Sequence, residues 1–115
     1  MNQETLTFEM LAGTSPNEHI FCLHGPLVLN DMFRFQEVLR SESDATIIDL
    51  TDVPFMDSAG LGVLTISYVS HQKHGRKLLL VGANEGVQAL FKMTRLDQLF
   101  EVFPTLESAR LALAA

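Results

Sequence analysis

Two short apolar runs, ATIIDL at residues 45–50 and KLLLV at residues 77–81, constrain this chain more than any other feature. Short apolar runs of this kind are typical of strands buried between helices in a parallel sheet. Adjacent parallel strands cannot be joined by a tight turn; they need a crossover of a dozen or more residues, usually helical. That requirement decides the segment between the runs, where the local signal is divided. Leu64, Ile66 and Tyr68 alternate with Thr65 and Ser67 as in a strand. Yet Leu61, Leu64 and Tyr68 also share one helical face, with Ser58, Thr65 and Gln72 on another. The crossover makes the segment a helix.

The remaining elements fall around this core. Residues 5–10 alternate, with Leu6, Phe8 and Met10 apolar, and predict a strand with one wet face. The cluster Gly13-Thr14-Ser15-Pro16-Asn17 predicts a turn and residues 18–24 (EHIFCLH) a second strand, which together form a hairpin. After Gly25-Pro26, Asn30 or Asp31 can cap a helix running to about Arg40, with Met32, Phe35 and Leu39 on its buried face. Asn84 can cap another, with Val87, Leu90 and Phe91 at helical spacing. Residues 101–103 can make a last short strand, and Pro104-Thr105 opens a terminal helix with Leu106, Ala109 and Leu113 on one face. The order β-β-α-β-α-β-α-β-α predicts one α/β domain over residues 1–115, with a mostly parallel sheet, an N-terminal β-hairpin and four helices.

Charge and length exclude several function classes. Fourteen acids against eight Lys and Arg give a net charge of −6, the wrong sign for a protein that neutralises phosphates, so no nucleic-acid partner is expected. The basic run Lys73-His74-Gly75-Arg76-Lys77 reads as a solvated turn. No apolar run is long enough to span a bilayer, and the start, MNQETLTFEML, lacks the basic and apolar regions of a signal peptide. A single cysteine, Cys22, permits no intrachain disulfide. Together these predict a cytoplasmic protein in a reducing compartment, without membrane insertion.

The stretch Phe55-Met56-Asp57-Ser58-Ala59-Gly60-Leu61-Gly62-Val63-Leu64 then stands out. Glycine inside a helix costs about 0.5–1 kcal/mol against alanine, and here two occur in the first turns. The segment sits where a strand end passes into a helix, beyond the carboxyl ends of the strands, where open α/β sheets carry their sites. Asp57 or Ser58 is the expected N-cap, and the helix end offers free N–H groups and positive dipole character suited to a phosphate on Ser58. Gly60 and Gly62 either bare the surface for an approaching partner or allow close helix–sheet packing. A hydrolase elbow, G-x-S-x-G, is excluded by Met56 two residues before Ser58, and a phosphate-binding P-loop motif is absent. His71 and His74 lack a carboxylate or cysteine to complete a metal site and read as surface residues. Cys22, between Phe21 and Leu23, reads as a buried small hydrophobe. No metal or cofactor is expected.

The segments "DATIIDLTDVPFMDSAGLGVL" and "GRKLLLVGANEGVQALFKMTRLDQLFEVFPTLESA", with the order of elements and the size, resemble a bacterial STAS domain of the anti-sigma factor antagonist type, a family also found on the tails of sulphate transporters. The resemblance covers nearly the whole chain and implies a non-enzymatic regulatory module. In stand-alone members the serine of the D-S pair accepts a phosphate from a serine kinase, often the anti-sigma factor itself, and a phosphatase resets it. Ser58 matches that position. The implied contact surface is Phe55, Met56, Asp57, Ala59, Gly60 and Gly62, joined by Asn30 and Asp31. One stretch departs from the family pattern: Gly25-Pro26-Leu27-Val28 stands where many members carry G-x-L-D. Two other readings are a constitutive subunit of a lipid-transport ATPase or stress-signalling complex, with Ser58 never modified, and a small enzyme or ligand carrier built on the glycine-bounded site.

Overall fold

The computed structural model describes residues 6–12, 17–39 and 43–114. Within these the sequence-derived order holds: β1 (Thr7–Ala12), β2 (Glu18–His24), α1 (Met32–Leu39), β3 (Ala45–Asp52), α2 (Ser58–Lys73), β4 (Lys77–Val81), α3 (Glu85–Met93), β5 (Val102–Phe103) and α4 (Leu106–Ala114). Short 3-10 turns at Leu29–Asp31 and Leu96–Gln98 were not foreseen. The sheet has five strands in the order β1-β2-β3-β4-β5, with β1 antiparallel to β2 and every later pair parallel. The expected start of β1 at Thr5, most of the Gly13–Asn17 turn and the end of α1 at Arg40 lie outside the described residues.

The two apolar runs are central strands, with both faces covered as their composition requires. Ile48, Leu50, Leu78 and Leu80 point into the larger core, shared with Phe35 of α1, Leu64 of α2 and Phe91 of α3. Ile47, Leu79 and Val81 point the other way, against Ala109 of α4. The divided segment is helical from Ser58 to Lys73. Ile66, which suggested a strand, is 68% exposed there, whereas Leu61 and Leu64 are buried. Ile66 on the wet face disguises a helix as an alternating strand.

Asp31 does not present its carboxylate as the free cap that its position suggests. It is buried, with Oδ2 accepting from the Leu6 N–H at 3.4 Å and Oδ1 lying 3.5 Å from the Arg34 guanidinium. The 3-10 turn leads directly into α1 at Met32.

Candidate functional site

The site is assembled from two segments that are distant in sequence. Gly25, at φ 106°, swings the chain away from the end of β2, so that Leu27 pairs with Met56 in an isolated parallel bridge. Leu27 donates to the Phe55 carbonyl at 3.1 Å, and its own carbonyl accepts from the Asp57 N–H at 3.2 Å. Asn84 holds the strand exit from the other side. Its Oδ1 caps α3 by accepting from Val87 N–H at 2.8 Å, while its amide donates to the Val53 and Pro54 carbonyls. Asn84 is therefore both the cap that the sequence suggested and a brace for the loop that delivers Asp57.

Asp57 is the N-cap of α2. One carboxylate oxygen accepts from Gly60 N–H at 3.0 Å, satisfying a donor that every helix start leaves free. The other accepts from Leu29 N–H at 3.1 Å. Both oxygens thus have backbone donors. Ser58 follows as the first residue of the helix and is exposed. The first turn of α2 carries no acidic residue.

The two glycines part company here. Gly60 is buried, and a methyl added to it would fall on the Leu27 carbonyl oxygen. Gly62 faces open space, with nothing within 4 Å of where its side chain would begin. Close packing explains the first, and only an uncovered surface is left for the second.

Of the residues expected on the contact surface, Ser58 and Phe55 reach the outside, Phe55 being 53% exposed, and Asp57, Ala59 and Gly62 are half-buried. Met56, Gly60 and Asp31 are corrections: all three are buried, because the Leu27–Met56 bridge lies under α2 and Asp31 turns toward Leu6. Asn30 lies in the neighbouring 3-10 turn, and its side chain is outside the described residues. What the motif reading missed are Leu29 and Phe33, 67% and 85% exposed. Phe33 had a signal: it stands off the Met32, Phe35, Leu39 face, where an aromatic side chain has no core to enter. On α2 itself Ser58, Gly62, Ile66 and Val69 succeed one another along the outer side at helical spacing.

His71 is also a correction. It is buried, not on the surface. Its Nδ1 lies 2.7 Å from the Ser67 carbonyl, which fixes the proton there, and Nε2 lies 3.3 Å from Thr46 Oγ1, itself 2.9 Å from Ser43 Oγ. Carbonyl oxygens only accept, so Nδ1 carries a proton, and Nε2 meets the Thr46 hydroxyl. His74 is exposed, as expected. Cys22 is half-buried beside Asp49, and its thiol is pushed up, first by burial and then by the Asp49, Glu9 and Asp52 carboxylates. A thiol so held is a poor nucleophile. Among the described residues no cluster of His, Cys, Asp and Glu has a metal-binding arrangement, and no helix is long and apolar enough to cross a membrane.

Comparison with known proteins places these features in a family context. The family model described as the STAS domain matches residues 10–109. An anti-sigma-B factor antagonist of Listeria monocytogenes is 38% identical over 55 residues, covering 48% of each chain, so the match spans about half the length of that relative. An anti-sigma factor antagonist from Mycobacterium paratuberculosis has the same fold, with a TM-score of 0.84 at 21% identity over 96% of both chains. The Bacillus cell fate determinant SpoIIAA, solved in its phosphorylated form, gives a TM-score of 0.73 at 15% identity, over 93% of this chain and 99% of its own.

Proposed function

Since this chain belongs to the STAS domain family, we propose that it is a non-catalytic regulatory binding module, of the anti-sigma factor antagonist kind, controlled by phosphorylation of Ser58. The observation that carries this reading is the exposed hydroxyl of Ser58 at the first position of α2, beside a carboxylate already occupied by backbone donors. A relative with this fold exists in a phosphorylated form, which supports the reading from outside the chain. The partner is a serine kinase of the anti-sigma type, and a phosphatase reverses its action in the cytoplasm.

The transfer is balanced as follows. Ser58 Oγ forms a bond to the γ-phosphorus of the kinase's ATP, the bond from that phosphorus to its bridging oxygen breaks, and ADP leaves. The hydroxyl proton passes to a base on the kinase; the Asp57 carboxylate is turned toward the Gly60 and Leu29 N–H groups and accepts from both. The product carries about −1.5 to −2 charge at a helix N-terminus, which tolerates it, so the fold survives. A partner packed against Phe33, Phe55 and Gly62 has to bury that charge among apolar groups, which is costly.

The test is mass spectrometry of the protein from its own cells together with binding to the co-purified kinase. One phosphate on Ser58 is expected. Ser58→Asp should bind the kinase at least tenfold more weakly, about 1.4 kcal/mol, and Ser58→Ala should bind normally. An Asp variant that binds as tightly as wild type removes the phosphoswitch and favours the constitutive-subunit reading.

A further inference from the structure

We infer that Asp57 is a positioning residue for the contact surface: it ties the turn bearing Leu29 to the helix bearing Ser58, and a phosphate on Ser58 loosens that tie. The inference rests on the phosphoswitch reading and names how the modification is transmitted.

Among the described residues, and beside the apolar packing of Leu27 and Met32 in the core, four polar or close backbone contacts tie the two halves of the surface together. Three of them are indifferent to charge at Ser58: the Leu27 N–H to Phe55 carbonyl bond, the Asp57 N–H to Leu27 carbonyl bond, and the seat of Gly60 on Leu27. The fourth is the Asp57 carboxylate, shared between Gly60 N–H at 3.0 Å and Leu29 N–H at 3.1 Å. Gly60 N–H is one of the free donors of the helix start, and a phosphate on the first helical residue seeks those same donors. The dianion therefore competes with Asp57 for Gly60 while repelling its carboxylate.

The consequence is local. Leu27 stays pinned by backbone bonds, and Asp31 stays pinned by Leu6 N–H and Arg34. Between these anchors the carbonyls of Val28 and Leu29 keep their donors, Asp31 N–H and Met32 N–H, and the Leu29 N–H is the group that loses its partner. Leu29 is 67% exposed and leads into α1, where Phe33 stands at 85% exposure, so the segment that shifts carries apolar contact area. The partner thus meets a charge at Ser58 and a displaced Leu29 at once.

The test needs no kinase. Phosphoserine is incorporated at position 58 during translation, and amide exchange is followed by NMR in the modified and unmodified chains. Exchange at Leu29 should rise at least tenfold on modification, with Ile48 and Leu80 in the central strands unchanged. A nearby anion by itself slows base-catalysed exchange, so acceleration reports the lost bond. Asp57→Asn in the unmodified chain should also accelerate Leu29 and leave Gly60 capped, since Asn offers one acceptor where Asp offers two. Adding phosphoserine to Asp57→Asn should give no further acceleration, which a merely structural role for Asp57 does not predict. If Asp57→Asn does not fold, the modified wild-type chain decides alone. Leu29 exchange unchanged in that chain, or equal acceleration at Ile48 and Leu80, overturns the inference. Failure here leaves the phosphoswitch standing, whereas the absence of phosphate on Ser58 in cells removes the phosphoswitch and leaves this coupling measurable.

Discussion

The two ends of α2 treat their polar residues in opposite ways. At the C-terminal end, His71 is buried, and its ring joins Thr46 and Ser43 to the Ser67 carbonyl in a closed chain of hydrogen bonds. At the N-terminal end, Asp57 is fully engaged, yet the adjacent Ser58 faces solvent beside a glycine that leaves open space. The same helix thus has a locked end and an available end. A polar group that the fold needs is buried and satisfied; a polar group left bare amid apolar exposed side chains is one the fold does not need. On the proposed reading, that contrast leaves the Ser58 hydroxyl free to be modified without loss to the fold.

The sharpest way to break the contrast is to fill Gly60. Although Gly60 belongs to the available end, it is the one position there that the fold cannot spare. Gly60→Ala should destabilise by about 3 kcal/mol, the upper part of the usual overpacking range. The obstacle is a backbone carbonyl already accepting from Asp57 N–H, not a side chain that can rotate away. A denaturant melt checks this. A variant as stable as wild type means that α2 can shift off the Leu27 strand, and the joint is looser than its bonds indicate.

At the locked end, His71→Ala should cost about 2–3 kcal/mol, because Thr46 loses its ring partner inside the core and a void remains. Pairing it with Thr46→Val sharpens the comparison. When both partners of a buried hydrogen bond are replaced by apolar groups the penalty shrinks, so the double variant should lose less than the sum of the two singles. Additive losses would show that His71 matters only as volume.

These positions also show what could be read from the residues alone. The parallel core was legible because buried strands and a mandatory crossover leave few arrangements for ATIIDL and KLLLV. The cap at Asp57 was legible because capping chemistry is local: a carboxylate before a helix finds N–H groups a few residues on. Burial by distant partners was not. His71 carries the same side chain as His74, and only the approach of β3 to α2 places Thr46 against one of them. Gly60 and Gly62 lie two residues apart with the same chemistry, and the fate of Gly60 depends on Leu27, which is remote in sequence. Asp31 promised a surface charge and is instead drawn inward by Leu6 N–H and Arg34.

The smallest predicted effect is the most discriminating, because it reverses sign within one helix. Gly62→Ala adds the methyl group that is so damaging at Gly60, but here nothing lies within 4 Å of it. Alanine is the better helix former by about 0.8–1 kcal/mol, so the variant should be more stable than wild type by up to that amount. The gain comes largely from the unfolded chain, which loses conformational freedom when glycine is replaced. A fold under no other constraint would therefore gain by carrying alanine. If Gly62 is kept bare for a partner that packs beside Ser58, the same variant should bind the kinase more weakly, and Gly62→Val more weakly still. A thermal melt and a binding isotherm on the same samples separate the two quantities. Rising stability with falling affinity assigns Gly62 to the contact surface. Rising stability with affinity unchanged would confine the interface to Ser58, Phe55 and the Leu29–Phe33 segment.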